Sequence, residues 1–437
     1  MKKNAFIMST YVYILLVFFL LLLGTMLVVL NNTRLLANKI KENTDGNIDF
    51  NLVLKGDKEI FIVKDSEYIE PGCIATTFDG EKLEVRVMGE ANAKKSGEYD
   101  IEYSAEYKGV EKKVKRKVIV GENLVTYITN LYEDSITRAS NNLKKDNTED
   151  KNIRYYGANP NNYVRFNNEL WRIIGIFGNN VKLIRNDRLG WLSWDTSEST
   201  VNSGYGINQW GESKDTSGNI YEGADLQVYL NKMYYGGIEV TCYNDLNNTK
   251  TTCPKDSNGN FLELDDVAKK LIDNHTWNIG AMRYISRTNT LTFYQAERGS
   301  VHGKSSCSSG NQCNDTIIRT TEWTGYVGLP YVTDWAYASS ENDCSTKIDN
   351  SSTYKCKNNN WMHYGSTYND GTWYLSPLAD PDNARYVWGV RYVGRSGNYR
   401  GAAYPVSVFP TLYLKSNVII ESGNGSTSDP YVLKLGN

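Results

Sequence analysis

The sequence predicts a membrane-anchored multidomain chain: an N-terminal transmembrane helix, an all-β sandwich, then a larger α+β unit held by disulfides. Three observations carry that expectation. Residues 11–30 are twenty positions without a charge, which at helical rise cover roughly 30 Å, the hydrocarbon thickness of a bilayer. Between residues 48 and 120, apolar and polar residues alternate with period two, as half-buried antiparallel strands do. Beyond residue 240, six of the seven cysteines fall in three close pairs, Cys242 with Cys253, Cys307 with Cys313 and Cys344 with Cys356.

The apolar run is longer than the core of a signal peptide, and the following NNTRLLANKI offers no small-x-small cleavage site, so an uncleaved anchor is expected. Lys2 and Lys3 precede the span, and Arg34, Lys39 and Lys41 follow it, so charge alone leaves its orientation open. The cysteines decide. Each pair flanks a polar, turn-rich stretch, and a bridge closing a loop of about a dozen residues contributes on the order of 3 kcal/mol. Such bridges persist in oxidising compartments. A metal site is the weaker reading, because there is no C-x-x-C and no histidine at ligand distance from any pair. Residues 1–10 are therefore expected in the cytoplasm, 31–47 as a short stalk, and the rest outside a cell membrane crossed once.

The net charge of −2 gives no indication of nucleic acid as a partner. The composition is unusual in its 32 Tyr and 10 Trp beside 11 Phe and three His. Tyr and Trp present an apolar face and a polar edge, which suits exposed recognition surfaces as well as β-rich cores.

In residues 48–120, Ile60, Ile62, Tyr99, Ile101, Tyr103, Ala105 and Tyr107 mark one face of successive strands, with turns at Gly56, Gly72, Gly80, Gly97 and Gly109. Leu54-Lys55-Gly56, Tyr68-Ile69-Glu70-Pro71-Gly72-Cys73-Ile74-Ala75, Asp79-Gly80, Gly97-Glu98-Tyr99 and Lys117-Val118-Ile119-Val120 make residues 51–120 resemble the bacterial Ig-like repeats that carry a Y-x-E-P-G-A word. The resemblance implies a spacer without catalytic residues. Cys73 replaces the usual alanine and is expected to be a small buried residue.

Residues 121–152 read as a helical linker: Leu124, Ile128, Leu131, Ser135 and Ala139 recur at three and four residues, and a charged hinge follows. Residues 153–437 read as one unit. It opens on hairpins turning at Asn167-Asn168 and Gly178-Asn179-Asn180, followed by helices over 224–235 and 264–275, the second with Asp265 and Asp266 in its first turn. Trp210 with Ala224-Asp225-Leu226-Gln227-Val228-Tyr229-Leu230-Asn231, then Trp373-Tyr374-Leu375-Ser376-Pro377 and Val408-Phe409-Pro410-Thr411-Leu412-Tyr413-Leu414, resemble a family of bacterial extracellular domains. That family looks like the C-type-lectin fold in its formylglycine-generating-enzyme branch, which implies an α+β lectin-like head. The arginines of the family's W-L-R-S-P and V-R-P words are missing here, and the cysteines look committed to bridges, so that enzyme activity is not implied.

No motif supplies a nucleophile with its base: His275, His302 and His363 are scattered. Asp334 beside Trp335 and Glu297 beside Arg298 are carboxylates of the kind a glycosidase pairs, without a supporting motif. Asp256-Ser257-Asn258-Gly259-Asn260 has oxygen ligands but not EF-hand spacing, and reads as a polar turn. No metal, cofactor or catalytic residue is therefore expected. The binding candidate is Tyr386, Trp388, Arg391, Tyr392, Arg395, Tyr399, Arg400 and Tyr404, aromatics interleaved with arginines that suit a sugar or a protein hot spot. Period two sends part of that set inward. The expected function is that of an adhesin-like surface protein whose Ig-like spacer presents a head to an extracellular glycan or protein. A pilin-like assembly subunit and an extracellular glycan hydrolase are the alternatives.

Overall fold

The computed structural model describes residues 49–197, 206–244, 250–281, 288–299, 317–340, 344, 347–348, 359–363, 371–379, 386–390 and 398–437. They form two compact units, one of residues up to 60 with 66–119, the other of 61–65 with 120–437.

The first unit is built from strands β1 Phe50–Leu54, β2 Glu59–Val63, β3 Cys73–Thr77, β4 Lys82–Leu83, β5 Arg86–Met88, β6 Gly97–Tyr107 and β7 Val110–Asn123, of which β2 and β7 run on into the second unit. β1 pairs antiparallel with β3, and β3 with β4. β5 pairs antiparallel with β6, beside β7. The alternation works as the pleat requires: Ile101, Tyr103 and Ala105 of β6 are buried while Asp100 and Glu106 are exposed. Phe50, Ala75 and Ala105 form the centre of this core.

A buried cation pins it. Arg116 is fully buried and donates from Nη1 to Glu70 and from Nε to Asp57 O at 3.0 Å. Glu70 also accepts from Tyr103 OH at 2.6 Å, from Tyr68 OH and from Gly72 N at 3.0 Å. The Y-x-E-P-G word thus supplies the half-buried acceptor for a buried guanidinium.

The second unit starts with helices α1 Leu124–Glu133 and α2 Ser135–Ser140. The single helical periodicity is interrupted because Asp134 takes an extended backbone and its carboxylate accepts from Ile136 N and Thr137 N, capping α2. Instead of a solvated hinge, β8 Leu143–Lys145 and β9 Ile153–Tyr155 follow, with Asp146, Thr148 and Asn152 buried between them. The strands β10 Tyr163–Phe166, β11 Glu169–Phe177 and β12 Asn180–Arg185 meander as predicted. Asn167 and Asn168 both have positive φ, 55° and 57°, as a two-residue hairpin turn of matching twist needs. At Gly175, β11 shifts register to admit β9, and a Cβ there would collide with the Ile153 carbonyl.

The remaining strands used here are β13 Gly190–Leu192, β14 Val327–Gly328, β15 Thr372–Pro377, β16 Tyr386–Val390, β17 Asn398–Gly401, β18 Val406–Val408, β19 Thr411–Tyr413, β20 Val418–Ser422 and β21 Tyr431–Leu435. They complete a sheet of order β14-β19-β12-β11-β10-β21-β20 and a second of order β13-β18-β15-β16-β17. One hydrophobic core holds side chains of both, among them Trp171, Ile173, Leu183 and Leu412 from the first and Trp373, Leu375, Val387 and Val406 from the second. The helices are short: α3 Asp225–Val228, which runs into a wider π-helical stretch Tyr229–Tyr235, α4 Asp266–Leu271, α5 Thr290–Gly299 and α6 Val332–Tyr337. Asp265 caps α4, accepting from Ala268 N at 2.7 Å.

The fold class expected from the sequence is corrected. Among the described residues the structure is mostly β-sheet, and no helix is long and apolar enough to cross a membrane. The expected span 11–30 and stalk 31–47 lie outside the described residues. The expected α+β lectin-like head is not what the second unit shows: among the described residues its core lies between sheets, and although the helix expected over 224–235 forms, the one expected over 264–275 shortens to Asp266–Leu271, with His275–Asn278 taken into a strand. Cys73 is corrected too. Its thiol is partly exposed on β3, with Sγ 3.1 Å from Val53 O, and burial raises its pKa.

Burial pushes the Glu70 pKa up, but the hydrogen bonds from Tyr103, Tyr68 and Gly72 and the charge of Arg116 outweigh it, leaving the carboxyl below its ordinary value. A carboxylate so depressed stabilises the fold above its unfolded pKa, and the contribution is lost as pH falls through the folded pKa. Glu70→Gln is expected to cost the first unit about 3 kcal/mol at neutral pH, since Arg116 stays buried, and to flatten its loss of stability in acid. Hydrogen exchange of the Ile101 and Tyr103 amides in the full chain measures both; wild-type protection in the variant would refute the role given to Glu70.

Candidate functional site

The predicted aromatic and arginine platform divides as strand geometry demands. Trp388 on β16 is buried, packed edge-on against Phe293 of α5 with ring centroids 5.0 Å apart, so it belongs to the core. Tyr386 is half-buried against the same core. β16 and β17 place Val387 opposite Arg400 and Trp388 opposite Tyr399. Tyr404, after β17, is 41% exposed. Arg391, Tyr392 and Arg395 lie outside the described residues. Trp191, which sequence reasoning did not single out, sits on the outer strand β13 and is 45% exposed, opposite Ser407 of β18. Its signal was its place in Gly190-Trp191-Leu192, where Leu192 turns inward and its neighbour must turn out. Trp191, on the edge strand β13, and Tyr404, between β17 and β18 of the same sheet, are thus exposed large aromatics.

An open polar cleft of about 390 Å³ among Val63, Lys64, Asp65, Glu122, Asn123, Asn179 and Ser416 has no aromatic side chain in its lining. The Asp256 turn satisfies itself: its carboxylate accepts from Asn258 N and Asn260 N, each at 2.9 Å. No group of three or more potential metal ligands occurs among the described residues. His275 stacks on Tyr413 at 3.7 Å and contacts Asp273 at 3.1 Å. His302 lies outside the described residues, and His363 is half-buried near Trp335.

Cys242 and Cys253 form the expected disulfide. Cys344 is buried and disulfide-bonded, while Cys307, Cys313 and Cys356 lie outside the described residues.

The two acids noted as a glycosidase-like pair meet in the core rather than in a cleft. Asp334 of α6 is fully buried and bridges two cations: Oδ1 accepts from Arg154 Nη1 at 2.8 Å and Oδ2 from Lys182 Nζ at 2.6 Å. Oδ2 also accepts from Tyr331 N at 2.9 Å. Arg154 in turn donates from Nε to Asp146 at 2.6 Å. Glu297 of α5, also fully buried, accepts from Thr333 Oγ1 at 2.6 Å and Ser376 Oγ at 2.9 Å, with Arg298 Nη1 3.6 Å away. Burial opposes charge on Asp334, but Lys182 and Arg154 together overcome it and hold its carboxyl below the ordinary range. Lys182 has only that shared carboxylate and feels Arg154 nearby, so burial wins and lowers it to about 8. A second pair lies at the start of α3. Asp195 is pushed up to about 7 by burial and then by the charge of Asp225, despite hydrogen bonds from Ile207 N and Ser197 Oγ. Asp225 accepts from Thr196 N at 2.7 Å, tying the segment after β13 to the helix.

With this geometry in hand, the comparisons concern the first unit above all. Residues 52–120 match the family described as bacterial surface protein, Ig-like domain, which points to an extracellular or surface location. No curated protein matches the chain. A crystal structure of a lipoprotein from Bacteroides thetaiotaomicron is 29% identical over 17% of this chain and 39% of its own, with a TM-score of 0.16. A structure of the second CBM51 module of Clostridium perfringens ZmpB, in complex with GlcNAc and INT domains, is 13% identical over 40% of this chain and 38% of its own, with a TM-score of 0.15. The chain therefore spans under two fifths of the length of either, and at such scores neither defines its fold.

Burial pushes the Glu297 carboxyl up to about 7, against Arg298 and the hydrogen bonds from Thr333 and Ser376. A carboxyl raised in the folded state contributes stability that is present below its unfolded pKa and lost as pH rises through the folded value. Between pH 5 and pH 8 the Glu297→Gln variant is therefore expected to gain on the order of 3 kcal/mol relative to wild type. Urea unfolding followed at both pH values checks this; parallel pH profiles for the two proteins would remove Glu297 as the cause.

Proposed function

We propose that the protein is a bacterial surface binding protein, in which the Ig-like unit acts as spacer and the second unit carries the ligand contact. The match of residues 52–120 to the surface Ig-like family carries this reading. It is supported by the exposure of Trp191 and Tyr404 on the second unit, since an exposed aromatic ring offers an apolar face with a polar edge to a sugar or a protein hot spot. The protein binds without turnover in this reading. Glu297 and Asp334 support that view, because carboxylates at zero or one percent exposure do not reach a substrate.

The test is a glycan array, followed by titration of any glycan bound. Trp191→Ala and Tyr404→Ala are each expected to weaken binding about tenfold or more with the thermal melt unchanged. Trp388→Ala is expected to act differently, costing about 3–5 kcal/mol of stability through the lost Phe293 contact. Binding that survives both surface substitutions would refute this contact surface, and measurable hydrolysis of the bound glycan would restore the enzyme reading.

A further inference from the structure

We propose that Lys182 and Asp334 condense to an intramolecular amide, a self-made cross-link between β12 and α6. The two groups meet under conditions rarely given to an ion pair. Both side chains are at 0% exposure, and Lys182 Nζ lies 2.6 Å from Asp334 Oδ2. Four aromatic rings surround the nitrogen, Tyr331 at 4.1 Å, Tyr413 at 5.3 Å, and Phe177 and Trp277 at 5.4 Å. Desolvation of two charges is costly even when they pair. Burial lowers the Lys182 pKa to about 8, which brings the neutral, nucleophilic amine within reach near neutral pH.

The charge balance of the core singles out this pair. Asp146, Arg154, Asp334 and Lys182 together carry two negative and two positive charges. Condensation removes one of each and leaves Arg154 with Asp146, its partner through Nε at 2.6 Å. Of these four groups none is then left as an unpaired charge.

The step needs no oxidant or cofactor. A proton passes from the Lys182 ammonium to Asp334 Oδ2, an uphill transfer because Lys182 and Arg154 hold that carboxyl below its ordinary range, giving an amine and a carboxylic acid. Nζ then attacks Cγ, and the negative charge that develops on Oδ1 is held by Arg154 Nη1, 2.8 Å away in the ground state. A second proton leaves Nζ for Oδ2, which departs as water. Oδ1 remains as the amide oxygen, and the hydrogen bond from Tyr331 N to Oδ2 is given up. The new bond joins residues 152 apart in sequence, so it closes a long loop and restricts the unfolded chain.

Mass spectrometry of the full wild-type chain, denatured and reduced so that disulfides open, tests the proposal directly. The expected mass is lower than that of the sequence by one water. A tryptic digest is expected to show a branched peptide joining the segments around Lys182 and Asp334, with no cleavage after Lys182, and Lys182→Met should abolish both signals. Full sequence mass with cleavage after Lys182 would overturn the cross-link. A water loss that persists in Lys182→Met, or maps elsewhere, would overturn it equally.

Discussion

The second unit is organised around one carboxylate. Asp334 accepts Arg154 from β9 and Lys182 from β12 while capping its own helix through Tyr331 N. Three elements distant in sequence are thereby fixed in register, since a cation buried among Phe177, Tyr331 and Tyr413 has no water to turn to. The constraint propagates outward. Arg154 orders Asp146, and Asp146 orders the turn through Thr148 and Asn152, so that what reads as a charged hinge becomes a packed segment.

The Ig-like unit uses the same device with opposite consequences for pH. Glu70 is held ionised by Arg116 and by donors from Tyr68, Tyr103 and Gly72, so acid weakens this unit. Glu297 is held toward its neutral form by burial, which outweighs the charge of Arg298, so rising pH weakens the other. The difference lies in solvation. Glu70 keeps about a quarter of its side chain exposed, whereas Glu297 keeps none and is met by two hydroxyls, the Thr333 N–H at 3.5 Å and a guanidinium at 3.6 Å.

The proposed function rests on how the aromatic residues are shared between core and surface. The wealth of Tyr and Trp fits both recognition and packing, and the structure divides them. Trp171, Trp194, Trp210, Trp277, Trp335 and Trp373 are fully buried, while Trp191 and Tyr404 are left at the surface of a unit that travels with a surface-class Ig-like domain.

The sequence alone was enough for what depends on neighbouring residues. Period two placed β6, two asparagines placed the β10–β11 turn, cysteine spacing placed the Cys242–Cys253 bridge, and the Y-x-E-P-G word placed the Ig-like unit. Helices α5 and α6 escaped it, because α5 turns Thr290 and Glu297 inward beside its apolar residues, which blurs its periodicity, and α6 has only six residues. Only the tertiary structure decided that Trp388 faces inward, that Trp191 faces outward, and that Asp334 sits between Lys182 and Arg154. The Asp334 contacts alone join residues 152 and 180 positions apart. Local pattern fixes which face of a strand is apolar, whereas the partners of a buried charge are chosen by packing, where desolvation forces each charged group to find whichever opposite charge the fold brings near.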